Sequence, residues 1–110
     1  MIDWDHFEAV ELRAGTIVRA EAFPAARKPA YRLWVDFGPE LGVKPSSAQL
    51  TRLYTPEQLI GRQVLAVTNF PPRRIAGFVS EVLVTGFVLD GGEVVLVQPD
   101  RPVPDGTRLA

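Results

Sequence analysis

Apolar and polar side chains alternate most regularly between residues 31 and 37. The odd positions are apolar: Tyr31, Leu33, Val35 and Phe37. The even positions are Arg32, Trp34 and Asp36. Successive side chains of a β-strand point to opposite faces. We therefore predict a strand whose odd positions face a core, with Trp34 and Arg32 together on the outer face.

Further strands are predicted from looser alternation and from the turn residues that bound each segment. They cover residues 11–22 with a bend at Gly15, residues 43–50, residues 63–69, and residues 81–89 followed by 93–97. The last two flank Asp90-Gly91-Gly92, a sequence typical of a tight hairpin. The chain thus contains five principal strands, the fifth of which continues into a hairpin.

Two short helices are predicted from capping signals. Asp3 can cap a first turn on which Trp4 and Phe7 share one side. In the second helix, Thr55 is the N-cap, Pro56 occupies the first helical position and Gln58 completes a capping box; Gly61 ends it.

This order of elements predicts the fold. Five strands with a short helix between the third and fourth are typical of the OB-fold, an all-β, five-stranded Greek-key barrel. A small antiparallel sandwich has the same number of strands but does not account for the capped helix. We expect one such domain over residues 1–110, because a chain of this length fits a single domain.

Composition argues against catalysis. The chain has no cysteine and one histidine, His6, and its carboxylates do not cluster at metal-ligand spacing. These absences exclude disulfides, thiolate metal sites and cysteine nucleophiles, and leave no conventional triad. We expect no enzyme activity, no metal and no cofactor, with His6 acting as a capping or interface residue.

The charge and the start of the chain indicate its surroundings. A net charge of −1 argues against indiscriminate nucleic-acid binding, although a local basic patch is compatible with it. The acidic beginning differs from a signal peptide, and no apolar run approaches the roughly 18 residues of a membrane span. We expect a cytoplasmic protein without membrane insertion.

Candidate binding residues lie in two loops and on the outer face of the second strand. Arg27-Lys28 and Arg73-Arg74 are basic pairs in proline-containing loops. Residues 70–78 form an unusually apolar loop, typical of a groove rim or a subunit contact: its apolar residues include Phe70, Ile75 and Phe78. Trp34 is a further candidate contact, unless the N-terminal helix or a second subunit covers it. Asn69 and Ser80 bracket the loop, where such residues often hold the backbone.

Several segments resemble the CsaA family. The similar stretches are residues 27–33, 46–51, 59–64, 69–75 and 80–84, within a resemblance that extends from Phe7 to about Pro99. Asn-Phe-Pro-Pro and Ser-Glu-Val-Leu are its most specific parts. The resemblance implies a bacterial, cytoplasmic, homodimeric OB-fold protein. It also implies an export-related chaperone that binds unfolded or precursor polypeptides, with SecA as a further partner.

The wider superfamily is the tRNA-binding domain of methionyl-tRNA synthetase C-terminal domains and of the endothelial-monocyte-activating polypeptide. Its tRNA-contacting motif is similar to residues 69–80, and the resemblance places Asn69, Arg74 and Ser80 at RNA-contacting positions. Ala76 and Val79 stand where that motif often carries basic residues. Fewer cations neutralise fewer phosphates, so the departures favour a polypeptide ligand over RNA.

Two functional hypotheses follow. The first is polypeptide binding through the apolar candidates Trp34, Phe70, Ile75 and Phe78. The second is structure-specific tRNA binding in trans through the polar and basic candidates Lys28, Asn69, Arg73, Arg74 and Ser80. Under either hypothesis we expect a homodimer, because a helical turn carrying Trp4 and Phe7 is too short to be stable without a partner surface.

Overall fold

Nine strands and three short helices make up the structure, a computed structural model that describes residues 1–110. The helices are α1 (Trp4–Ala9), α2 (Gly38–Leu41) and α3 (Pro56–Leu59). The strands are β1 (Leu12–Ala22), β2 (Tyr31–Asp36), β3 (Val43–Ala48), β4 (Gln63–Val67), β5 (Arg73–Ile75), β6 (Phe78–Ser80), β7 (Leu83–Val84), β8 (Gly86–Val88) and β9 (Val94–Leu96). Five of them form one sheet in the order β3-β2-β1-β4-β7.

Strand β1 is the centre of this antiparallel sheet. Its first half, from Leu12 to Thr16, pairs with β4, and its second half, from Thr16 to Ala22, pairs with β2. The register with β2 shifts between Ile17 and Arg19. A bulge of this kind increases the local twist of a strand, and here it bends β1 so that its two halves serve two different neighbours.

The two edges of the sheet approach each other. The backbone N–H of Glu81 donates to the carbonyl oxygen of Pro45 in β3 (2.9 Å), and the Ser46 hydroxyl donates to that of Val82 (2.9 Å). The sheet is therefore a nearly closed barrel, and the predicted OB-type fold is confirmed.

The barrel interior is apolar. Its twelve buried residues are Ile17, Leu33, Val35, Phe37, Ala48, Leu50, Leu59, Val64, Ala66, Val82, Val84 and Leu96. The alternation predicted for β2 is confirmed, because Leu33, Val35 and Phe37 are buried while Trp34 lies on the opposite face. The outer face of β2 is thus free to carry a different function.

Helix α3 forms as its capping signals predict. The Thr55 hydroxyl accepts the N–H of Gln58, and the Gln58 side-chain oxygen accepts the N–H of Thr55 (2.9 Å). The helix presents Leu59, which is fully buried in the barrel core. Just after it, Gly61 N–H donates to the carbonyl oxygen of Ile17 (2.8 Å) and so ties the helix to β1.

The predicted strand over residues 81–89 is interrupted. Val84 makes the last pairing with β4, and Thr85 separates β7 from β8. Both the N–H and the hydroxyl of Thr85 donate to the carbonyl oxygen of Leu65 (2.9 and 2.7 Å). These two bonds end β7, and β8 begins at Gly86 as half of the predicted hairpin with β9.

The apolar segment at residues 70–78 was expected to be a loop, but it contains a second hairpin. Strands β5 and β6 pair from Arg73–Ser80 to Ile75–Phe78. The two residues between them, Ala76 (φ 46°) and Gly77 (φ 82°), both have positive φ. That backbone matches a type I′ turn, whose twist suits a two-residue hairpin.

Residues 38–41 form α2, a single helical turn between β2 and β3. Its start is fixed by the Asp36 carboxylate, which accepts the N–H of Gly38 (2.8 Å), and by Pro39, whose ring presets a helical φ. The N–H of Gly42 closes the turn on the carbonyl oxygen of Gly38 (2.7 Å).

Helix α1 is capped as predicted but contributes nothing to the core. The Asp3 carboxylate accepts the N–H of His6, and the His6 ring nitrogen Nδ1 accepts the N–H of Asp3 (3.2 Å each). None of the six residues of α1 is buried. No helix in the chain is long and apolar enough to cross a bilayer.

Candidate binding surface

The β5–β6 hairpin is anchored to the barrel by Phe78. Its ring lies edge-on to those of Phe23 (centroids 5.5 Å apart) and Trp34 (5.7 Å). Edge-to-face aromatic pairs contribute about 0.5–1.5 kcal/mol beyond the area they bury. We call Phe23, Trp34 and Phe78 the aromatic layer. It fixes the hairpin on the outer face of β2.

Two arginines cover the aromatic layer. The guanidinium of Arg19 lies 4.4 Å from the centre of the Trp34 ring, and that of Arg32 lies 5.3 Å from the centre of the Phe23 ring. Glu21 holds both arginines through contacts of 2.8 Å. Trp34 is therefore half-buried under its own chain, by Arg19 and Phe78, rather than standing open on the surface.

An apolar groove runs beside the hairpin, with a cavity volume of about 480 Å³. One wall comes from the segment leading into β5, and the other from β3 and the segment between β6 and β7. The lining residues are Ser47, Phe70, Pro71, Pro72, Arg73, Ile75, Ser80, Glu81, Val82 and Leu83. The side chain of Phe70 is 54% exposed, so an apolar ligand could still bury much of it.

The structure divides the four apolar candidates into two pairs. Phe70 and Ile75 line the groove, whereas Trp34 and Phe78 belong to the aromatic layer. Sequence reasoning missed Leu83, which also lines the groove and is exposed. The available signal was its place between Val82 and Val84, where alternation puts an apolar side chain on the outer face.

The polar candidates Asn69 and Ser80 are engaged with the backbone. Asn69 Oδ1 accepts the N–H of Glu11 (3.0 Å), and its Nδ2 donates to the carbonyl oxygen of Ala9 (2.8 Å). The Ser80 hydroxyl is buried and accepts the N–H of Ser47 (3.0 Å). Both side chains thus hold the ends of the hairpin segment in place.

The basic candidates are free of ion pairs. Arg27, Lys28, Arg73 and Arg74 are exposed, and no carboxylate lies within 4 Å of their charged groups. The first pair follows Phe23 along the chain, and the second belongs to the hairpin that Phe78 anchors. Within β5, Arg73 and Ile75 share one face while Arg74 lies on the other. The two basic pairs therefore carry positive charge that no ion pair compensates.

Comparison with known proteins identifies the family. Residues 12–108 match the model of the family described as "Putative tRNA binding domain". The fold superposes on the chaperone CsaA of Bacillus anthracis str. Ames with a TM-score of 0.95 and 55% identity, covering 100% of this chain and 99% of that one. The CsaA chaperone of Picrophilus torridus superposes with a TM-score of 0.93 and is 44% identical, with both chains covered completely.

The chain belongs to the CsaA family of tRNA-binding-domain proteins. The resemblance expected from residues 27–33 and 69–75 is thereby confirmed. Methionine–tRNA ligases are also related: that of Methanothrix thermoacetophila is 37% identical over 109 residues. The match covers 99% of this chain but only 16% of the ligase, so the similarity is to one domain of a much longer enzyme.

Glu11, the residue just before β1, is held by two side-chain hydrogen bonds. Its carboxylate accepts from Arg13 Nη2 (2.9 Å) and from the Thr68 hydroxyl (2.7 Å). The hydrogen bond from Arg13 and then that from Thr68 hold the pKa of Glu11 below its usual value. Ionised Glu11 thus links β1 to the residue before Asn69.

The lowered pKa predicts an acid-sensitive contribution to stability. Since the folded pKa of Glu11 lies below the ordinary value of about 4.3, its contribution is complete above that pH and is lost as the pH falls through the folded pKa. Glu11→Gln should lower the free energy of unfolding at pH 7 by about 1 kcal/mol and flatten its decline toward pH 3. Urea titrations at several pH values measure both effects. Glu8→Gln, at an exposed position, is the control; equal losses in both variants would refute the assignment.

Proposed function

We propose that this protein is a chaperone-like binding protein of the cytoplasm that holds unfolded or precursor polypeptides during protein export and acts as a homodimer. It would work by binding, without catalysis. The observation that carries the proposal is the apolar groove beside the β5–β6 hairpin, in a chain 55% identical to a chaperone CsaA. SecA is the partner expected for such a role.

The groove suits one or two apolar side chains of an extended polypeptide. Phe70, Ile75 and Leu83 offer apolar area, while Pro71 and Pro72 restrict the backbone of one wall. Burying one side chain there is worth about 1.5–3 kcal/mol. Binding at a single groove would be weak and tolerant of sequence, which suits a chaperone with many clients.

A dimer would strengthen such weak binding through avidity, because two grooves can hold one polypeptide. The chain exposes apolar side chains that a second copy could cover. Trp4 is 82% exposed and lies on α1 with Phe7, and the β8–β9 hairpin exposes Phe87, Val88 and Leu89. These exposed side chains are the contacts that we expect a second copy to cover.

A second candidate function is structure-specific tRNA binding in trans. The unpaired cations Lys28, Arg73 and Arg74 favour it, as does membership of a tRNA-binding-domain family. Under this hypothesis the cations contact phosphates, while Asn69 and Ser80 hold the hairpin segment that carries Arg73 and Arg74. Titration with tRNA and with a reduced, carboxymethylated protein, each at two salt concentrations, distinguishes the candidates, since phosphate contacts weaken strongly with salt.

Phe70→Ser should weaken polypeptide binding about tenfold, corresponding to roughly 1.4 kcal/mol, because it removes a ring from the groove wall. The loss should be nearly independent of salt, since apolar burial is not screened. Fluorescence anisotropy of a labelled, carboxymethylated protein measures it. Ile60→Ser is the matched control, because Ile60 is similarly exposed (53%) and lies outside the groove. A comparable loss in the control would remove the support for the groove.

Replacing Arg73 and Arg74 together by Ala should weaken tRNA binding and make its salt dependence shallower. Each phosphate contact contributes roughly 0.7–0.9 to the slope of log K against log salt, so the pair should remove between about one and two units. Filter binding over a salt series measures the slope, and Arg101→Ala should leave it unchanged. Polypeptide binding that follows these arginines and salt while tolerating Phe70→Ser would overturn the apolar-groove proposal.

Sedimentation equilibrium should show a dimer at micromolar concentration. Deleting residues 1–7 removes Trp4 and Phe7, and should raise the dimer dissociation constant while the barrel keeps its melting temperature, because α1 has no buried residue. Phe87→Ser tests whether the β8–β9 hairpin contributes. A native chain that sediments at 12.1 kDa under these conditions contradicts the dimer.

A further inference from the structure

The side chain of Asn69 connects helix α1 with the wall of the groove. In the proposed function, α1 contributes to the dimer and the groove binds the polypeptide. On one side lies α1, which carries the expected dimer contacts Trp4 and Phe7. On the other side, Asn69 immediately precedes Phe70 and the groove wall. Its amide reaches 58 and 60 residues back along the chain, to Glu11 and Ala9.

Helix α1 depends on few contacts for its position. It has six residues, none of them buried, and an isolated helix of this length is unstable in water. Two side chains satisfy carbonyl groups of its last turn: Asn69 Nδ2 donates to Ala9 (2.8 Å), and Arg108 Nη2 donates to Glu8 (2.6 Å). Such carbonyls have no partner within a helix, so these two bonds set the direction in which α1 leaves the barrel.

One wall of the groove begins directly after Asn69. After Asn69, the chain continues through Phe70 into Pro71 and Pro72, whose rings fix φ. The preceding residue, Thr68, is itself bound to Glu11 through its N–H (2.9 Å) and its hydroxyl (2.7 Å). Asn69 is therefore bonded to the end of α1 and is continuous with the groove wall, so that a shift of the wall would move the contact with α1.

We propose that Asn69 is a positioning residue that couples occupation of the groove to the placement of α1, so that a bound polypeptide and a second copy of the chain strengthen each other's binding. This inference rests on the proposed function. Coupling between two sites is reciprocal, and its usual size corresponds to a 5- to 150-fold change in affinity. A direct RNA contact by Asn69 is the competing assignment.

The test measures dimer dissociation with and without a ligand too short to bridge two grooves. The probe is the heptapeptide Gly-Ser-Leu-Phe-Leu-Ser-Gly, which excludes avidity as a cause. At saturating peptide, the dimer dissociation constant of the wild-type chain should fall about fivefold or more. In Asn69→Ala the peptide should leave it unchanged, and peptide affinity should no longer depend on protein concentration.

Arg108→Ala is the matched control. It also removes a bond to the last turn of α1 but has no connection to the groove, so it should weaken the dimer while the effect of peptide persists. Where Asn69→Ala does not fold, Asn69→Asp carries the test, since it keeps the acceptor for Glu11 and loses the donor to Ala9.

Each contrary outcome has a distinct meaning. Peptide binding to the wild-type chain without any change in dimer dissociation overturns the coupling alone. A coupling that persists in Asn69→Ala, or a selective loss of tRNA affinity in that variant, overturns the role of Asn69. No detectable binding of the peptide to the wild-type chain overturns the proposed function together with the coupling.

Discussion

The close approach of two core side chains to the backbone at Gly15 is the constraint on which the barrel depends. A Cβ atom added there would lie 2.7 Å from side-chain atoms of both Phe37 and Val35. Because glycine leaves that space empty, the inner side chains of β2 pack directly against β1, and β1 can bend past them to pair with β4 and then with β2. The outer face of β2 is left to carry the aromatic layer and, through Phe78, the hairpin beside the groove.

Much of this fold could be predicted from the sequence because its signals are local. Alternation placed Trp34 opposite the core, and the N-cap signals at Asp3 and Thr55 located two helices. The hairpin at residues 73–80 was not predicted, because Ala76 adopts a positive φ that alanine rarely has. The first position of its turn therefore carries no residue typical of a turn. The break at Thr85 depends on hydrogen bonds to Leu65, and a local pattern cannot show which distant carbonyl a side chain will reach.

The candidate site was predictable in composition but not in arrangement. Phe70, Ile75, Phe78 and Trp34 were all recognisable as unusual apolar residues, yet only the first two share the groove. What separates them is the stack of Arg19, Trp34, Phe78 and Phe23, whose members come from β1, β2, β6 and the residue after β1. In the same way, Asn69 and Ser80 fit a polar motif for RNA contact, while the tertiary structure directs both side chains to the backbone.

The different surroundings of the two tryptophans give the protein a pair of native optical reporters. Trp4 stands in solvent on α1, so its emission should have the long wavelength of an aqueous indole and should move to shorter wavelength when another molecule covers it. Trp34 lies between the Arg19 guanidinium and the Phe78 ring, and its emission depends on the aromatic layer. Replacing either one by phenylalanine leaves a single indole, so assembly and hairpin movement can be followed separately without an attached dye.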